Sequence, residues 1–187
     1  MSMADDIVKD LHDRIQKTLE AFRADLLSIR TGRANLHLLD GVRVDYYGTP
    51  TPLAQVATLS VADARLIVLK PWEKSLIPTI EKAIRDANIG LNPQSDKDMV
   101  RVPVPPLTEE RRKEIVKQVK HKGEDHKLAI RNERRDAKDL VDEAEKGGEI
   151  GGDDAKKALE KVQKETDEGV RRVDELVASK EKEVMQI

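Results

Sequence analysis

The chain has 187 residues, with 34 Lys+Arg against 36 Asp+Glu, no cysteine, 37% charged residues and 2% aromatics. The absence of cysteine excludes disulfides and thiolate metal sites and fits a reducing compartment. So few aromatic side chains exclude an ordinary large globular core and point instead to long helices with thin apolar seams.

The N-terminal run Met1-Ser2-Met3-Ala4-Asp5-Asp6 has neither the basic start nor the apolar stretch of a secretory signal. No segment reaches the roughly 18 apolar residues of a membrane span, so a cytoplasmic protein with no membrane partner is expected. Residues 5–30 read as one helix. Ile7, Leu11, Ile15, Leu19, Phe22, Leu26 and Ile29 recur at steps of four and three, which places them on one stripe. The pattern stops at Thr31-Gly32.

Residues 33–104 have another texture. Val42–Tyr47 alternates at period two and ends at Gly48-Thr49-Pro50, a turn signal. Gln55–Ser60 and Arg65–Lys70 are further strand candidates. Ser75 is placed to cap a helix through Ala87, with Pro78 tolerated in its first turn. Asn88-Ile89-Gly90 ends that helix, and Met99–Val104 reads as a last strand. All eight prolines, the single Trp and both Tyr lie between Tyr46 and Pro106. Trp72 and the pair Tyr46-Tyr47 read either as core and rim of a small sheet or as a stacking surface. Pro103, Pro105 and Pro106 read as stiffeners of the chain or as partner contacts.

Helical patterning returns at 108. Thr108 is the N-cap, and Glu109 and Glu110 suit the positive end of the helix dipole. This helix runs to Lys146, about 57 Å at 1.5 Å per residue. Gly147-Gly148 stops it. The last helix carries Ala155, Leu159, Val162, Thr166, Val170, Val173 and Val177 on one stripe. Three long helices with one apolar stripe each predict a three-helix bundle. The expected fold is α+β: a bundle of residues 1–30 and 107–187, with residues 31–106 inserted as a small β/α/β domain. Two adjacent strands of chain join them, which predicts hinges at Arg30, Thr31, Gly32 and Arg33 and at Val102, Pro103, Val104, Pro105 and Pro106.

Charge divides unevenly along this plan. Residues 108–135 hold 10 basic and 6 acidic residues, a local +4, whereas 136–187 hold 10 and 16, a local −6. A helical wheel with Ile130 at zero puts Val119, His126, Ala137, Val141 and Ala144 within about 40°, the buried side. Lys127, Lys120, Lys138, Arg131 and Lys113 fall between about 60° and 100°, Arg134 near 40°, and Arg135 and Lys117 near 140°. The stripe from Lys113 to Lys138 is roughly 38 Å long. It reads either as a track for a phosphate backbone or as a solvated face paired to acids. The clustering of Arg131, Arg134 and Arg135 favours the track, because guanidinium forks onto phosphate and stacks on bases.

Catalytic signatures do not emerge. GxxxxGK[ST], GxGxxG and EF-hand spacings are all missing. His121 and His126 stand about 140° apart on the wheel, a poor metal pair. No metal, cofactor or catalytic residue is expected.

Several segments together resemble the ribosome recycling factor family. Ser28-Ile29-Arg30-Thr31-Gly32-Arg33-Ala34 is similar to the segment closing the family's first helix, and Val44-Asp45-Tyr46-Tyr47-Gly48-Thr49-Pro50-Thr51-Pro52-Leu53 to its first strand and turn. Leu91-Asn92-Pro93 and the run Arg101–Arg112 resemble the return to the bundle, and Arg131–Ala137 the basic helix motif. The charged loop Gln94–Met99 and the slight extension Met1–Met3 depart from the pattern. The resemblance implies an L-shaped two-domain monomer that binds ribosomal RNA of the large subunit near the peptidyl-transferase region. It implies further that elongation factor G and GTP then drive subunit separation. By position, Arg131 and Arg134 would contact RNA, with Arg30 and Gly32 beside the hinge. A helical adaptor for proteins would leave the clustered arginines unexplained. An enzyme would need a base or nucleophile that the junction segments do not supply.

Overall fold

The computed structural model describes Ser2–Gln186 and separates into two compact units, one made of residues up to Leu26 together with those from Lys113 on, the other of Leu27–Arg112. Long helices in the first and a small sheet in the second give the α+β fold expected.

In the first unit, helix α1 spans Met3–Ser28. It begins earlier than the apolar stripe suggests because Ser2 and Asp5 form a reciprocal cap. The Asp5 N–H donates to Ser2 Oγ at 3.3 Å, and the Ser2 N–H to Asp5 Oδ2 at 3.4 Å. Helix α3, Glu109–Lys146, starts where Thr108 Oγ1 accepts from the Arg111 N–H at 3.2 Å. It stops at Gly147-Gly148, with the Gly147 N–H on Glu143 O and the Glu149 N–H on Ala144 O. Helix α4 spans Gly152–Met185. Leu11, Ile15, Leu19 and Phe22 of α1 are buried, as are Val119, Ile130, Ala137 and Val141 of α3 and Ala155, Val162 and Val173 of α4. The seam is thin enough for glycine to matter. A Cβ on Gly169 would lie 2.8 Å from Ile15 Cγ2, and one on Gly123 would lie 2.6 Å from Val177 Cγ2. His126 tilts against Phe22, ring centroids 4.8 Å apart, and its Nε2 lies 3.2 Å from Asp25 Oδ2. That contact, reinforced by Lys122, holds the Asp25 carboxyl below its ordinary value despite partial burial.

The second unit differs from its sequence reading in four places. Strand β1, Arg43–Tyr46, pairs with β2, Thr49–Pro52, so the turn is Tyr47-Gly48 rather than Gly48–Pro50. Both turn residues have positive φ, 49° and 82°, the two-residue turn that matches strand twist. Pro50 and Pro52 sit in β2 two residues apart, so both missing N–H groups face away from β1. Strand β3 is Ala57–Asp63, bulged between Val61 and Asp63, and Leu53–Gln55 is a 3-10 turn. Strand β4 is Leu66–Pro71. Ser75 lies inside a 3-10 turn, Lys74–Leu76, and makes no cap to helix α2, Ile77–Asp86. The charged loop holds a short strand β5, Gln94–Ser95, paired with β6, Val100–Pro103. The four-stranded sheet is antiparallel in the order β3-β4-β6-β5. Ile67, Leu69, Val100 and Val102 of the sheet, with Ile80 and Ile84 of α2, are wholly buried.

The residues read as hinges divide in the same unit. Val102 and Pro103 are in β6, paired to Ile67 and Leu66, and the Val104 N–H donates to Arg65 O at 2.8 Å. Their backbone is held by the sheet. Pro105 and Pro106 are exposed beyond it. Thr31 and Gly32 are buried, Gly32 at φ 79°, whereas Arg33 is exposed. Arg30 lies over Gly90, where a Cβ would come 2.8 Å from its Nη1.

Candidate nucleic-acid interface

On α3 the apolar azimuth is set by Val119, Ile130, Ala137 and Val141, all buried. The adjoining azimuth meets α4, and there the basic stripe divides. Lys127, nearest the seam of the lysines, is only 14% exposed and is clamped by Asp174 at 2.8 Å and Glu124 at 2.7 Å. Asp174 first, then Glu124, holds its ammonium above the ordinary lysine value against partial desolvation. Lys120 pairs with Glu181 of α4 at 3.0 Å, and Lys138 with Asp142 at 3.4 Å one turn on. These lysines follow the paired-face reading. Lys127 in particular is a bridge between helices, not a projecting cation. Lys113 and Lys117 are exposed near the start of α3.

The arginines are arranged otherwise. Arg131, Arg134 and Arg135 are all exposed. Positions three and four residues from Arg131 are Lys127, Leu128, Arg134 and Arg135, so its own helix offers no carboxylate. Among the described residues no ion pair or hydrogen bond reaches the side chains of Arg131 or Arg135. Arg134 Nη1 donates to Gln163 Oε1 at 3.1 Å, and Gln163 Nε2 donates in turn to Asp167 Oδ1 at 2.8 Å. A neutral amide therefore orients Arg134 without neutralising it. Arg131 and Arg134 line a shallow cleft of about 300 Å³ whose opposite wall is Gln163, Thr166, Asp167 and Val170 of α4. Sequence reading had no signal for that wall, since Gln163 and Asp167 sit in a helix that is acidic overall. Three guanidinium groups with no carboxylate partner suit an anion with spaced oxygens, such as a phosphate backbone.

Tyr47 and Trp72 do not fill the core of the second unit. Tyr47 is 83% exposed and Trp72 68% exposed, whereas Tyr46 is half-buried. Both phenols donate to Glu73, at 2.8 and 3.2 Å, which raises both phenol pKa values above the ordinary range. No group of three His, Cys, Asp or Glu side chains among the described residues could hold a metal ion. No helix among them is long and apolar enough to cross a membrane.

Fold and surface together define a two-unit α+β protein whose long-helix unit shows solvent a cluster of uncompensated arginines. The model of the ribosome recycling factor family matches residues 22–185. The ribosome-recycling factor of Anaeromyxobacter sp. (strain Fw109-5) is 76% identical over the whole of both chains. A solution structure of a ribosome recycling factor superposes with a TM-score of 0.78 at 36% identity, covering 100% of each chain. The T. thermophilus factor, in a structure with E. coli elongation factor G on the E. coli post-termination complex, gives 0.66 at 39% identity, covering 99% of this chain and 100% of that one. The chain belongs to the ribosome recycling factor family.

Proposed function

We propose that this protein binds the large subunit of a post-termination ribosome through the arginine face of α3 and, with elongation factor G and GTP, promotes dissociation into subunits. The observation that carries the reading is the set Arg131, Arg134 and Arg135, exposed and without acidic partners, in a chain of this family. The protein performs no bond chemistry of its own and works in the cytoplasm. Its contribution is mechanical: a close-packed bundle deforms little under load and passes displacement along its length. Phosphate contacts hold the lever on RNA, while the GTPase supplies the work. Purified protein incubated with polysomes, elongation factor G and GTP should yield free subunits. Persistence of intact ribosomes would overturn the proposal, as would equal splitting with GTP omitted.

The reading also needs flexure between the two units. The chain crosses between them at Leu26–Leu27 and again at Arg112–Lys113, both outside the hydrogen-bonded sheet. Spin labels on Lys9 and Ser60, one in each unit and both exposed, should show a distance distribution that shifts when large subunits, elongation factor G and GTP are added. An unchanged distribution during active splitting would mean that the protein works as one rigid body.

A further inference from the structure

The α3/α4 surface is not one continuous track. The bridge from Lys127 to Asp174 separates the arginine cleft from a second groove, between the start of α3 and the end of α4. That groove has a volume of about 660 Å³. Its floor is apolar, made by Val116, Ala178 and Met185, and Met185 is 51% exposed. Its rim is Lys113, Lys117, Lys120 and Lys182, with Glu181 the single acid. Lys117 and Arg131 are roughly 21 Å apart along the helix, at 1.5 Å per residue.

We propose that this groove is a docking site for an acidic amphipathic segment of a protein partner, distinct from the RNA face; the inference rests on the reading of that face. A phosphate backbone gains nothing from methyl and thioether groups, because its oxygens would lose water there without finding donors. Bases stack on aromatic rings or guanidinium planes, and the groove has neither. An apolar face laid on Val116 and Met185 removes both from water. Lysine stems extend such a floor while their ammonium groups stay at its edge. Lys117 on α3 and Lys182 on α4, to which no ion pair is formed among the described residues, call for carboxylates flanking that apolar face, the pattern of a helix anchored at i, i+3 and i+4. Lys120 already takes a carboxylate in this way, from Glu181 at 3.0 Å. Lys117 thus belongs to a protein contact, and the RNA contact narrows to the arginines.

The test uses isotope-labelled full-length protein and two probes. One is a short helical peptide of leucine and glutamate with the leucines on one face. The other is a short single-stranded RNA. The peptide should shift backbone resonances of Lys113–Lys120 and Ala178–Met185, and a scrambled peptide of the same composition should not. Met185→Ser should weaken peptide binding roughly tenfold, as when one apolar side chain leaves the contact. Lys117→Glu should weaken it similarly, and Lys117→Arg should not. RNA should shift Arg131–Arg135 and leave the groove unmoved. Failure of the peptide to bind, equal binding of the scrambled peptide, or RNA shifting Lys113–Lys120 would overturn the docking site. RNA failing to shift Arg131–Arg135 would count against the RNA face and leave the peptide result standing on its own.

Discussion

Arg131→Ala and Arg134→Ala should each weaken binding to isolated large subunits by roughly 1–3 kcal/mol, the range for charge-assisted contacts in which one partner is removed. The double variant should lose more than either single one but less than their sum, because the two arginines line one cleft and share its ligand. Salt dependence discriminates further. Removing an arginine that neutralises one phosphate should make the slope of log affinity against log salt shallower by roughly 0.7–0.9. Lys127→Gln is the matched control. It removes the same unit of charge, but from an ammonium already held by Asp174 and Glu124. It should leave the salt slope unchanged and lower the melting temperature slightly, since it removes the bridge from α3 to Asp174 of α4 while both carboxylates stay hydrated. Equal affinity in the arginine variants and wild type would defeat the RNA reading. A loss of helicity in Arg131→Ala would recast that exposed residue as structural.

The contrast between Lys127 and Arg131 shows where sequence reading stops. A helical wheel orders residues around one axis, and on it the two are about 40° apart with nothing to separate their roles. The difference comes from α4, which brings Asp174 to Lys127 and leaves Arg131 clear. The bundle stripes were legible because a period of 3.6 persists over many turns, and Leu11, Ile15, Leu19, Val119, Ile130 and Val162 are buried as expected. The α/β unit was legible only in outline. Pro50 and Pro52 argue against a strand until their alternate spacing is matched to a two-stranded ribbon in which the outer edge of β2 is unpaired. Ser75 has capping chemistry, but Glu73 to Ile77 enters α2 through a 3-10 turn, so the helix start has no free site for it. Tyr47 and Trp72 are large and apolar, yet short aliphatic residues such as Ile67, Leu69 and Ile80 fill the small core instead. The groove of Val116, Ala178 and Met185 was invisible for the same reason as the Asp174 bridge, since its two walls lie more than fifty residues apart in the chain.

Phe22→Ala should destabilise the bundle by roughly 3–5 kcal/mol, the range for emptying an aromatic site in a packed core. Phe22 is the only phenylalanine and is 0% exposed, so no second large ring stands ready to fill the space. It packs against the His126 ring, and a Cβ on Gly123 would sit 3.8 Å from its Cζ. Its neighbours in the seam are themselves buried and packed, so collapse onto that space is only partial. The companion change is Gly169→Ala. By helix propensity alone it should stabilise α4 by about 1 kcal/mol. Its methyl group, however, would meet Ile15 Cγ2 at 2.8 Å and Ile130 Cδ1 at 3.4 Å, both on buried side chains of the neighbouring helices. Ile15 is β-branched with one favoured rotamer in a helix, so the strain passes to the backbone, at roughly 1–3 kcal/mol for an overpacked core. Overpacking therefore outweighs propensity, and the variant should unfold at lower urea than wild type when followed by helical circular dichroism. A higher midpoint for Gly169→Ala would show that α4 can move away from α1 and α3, and that the seam is looser than a close-packed lever requires.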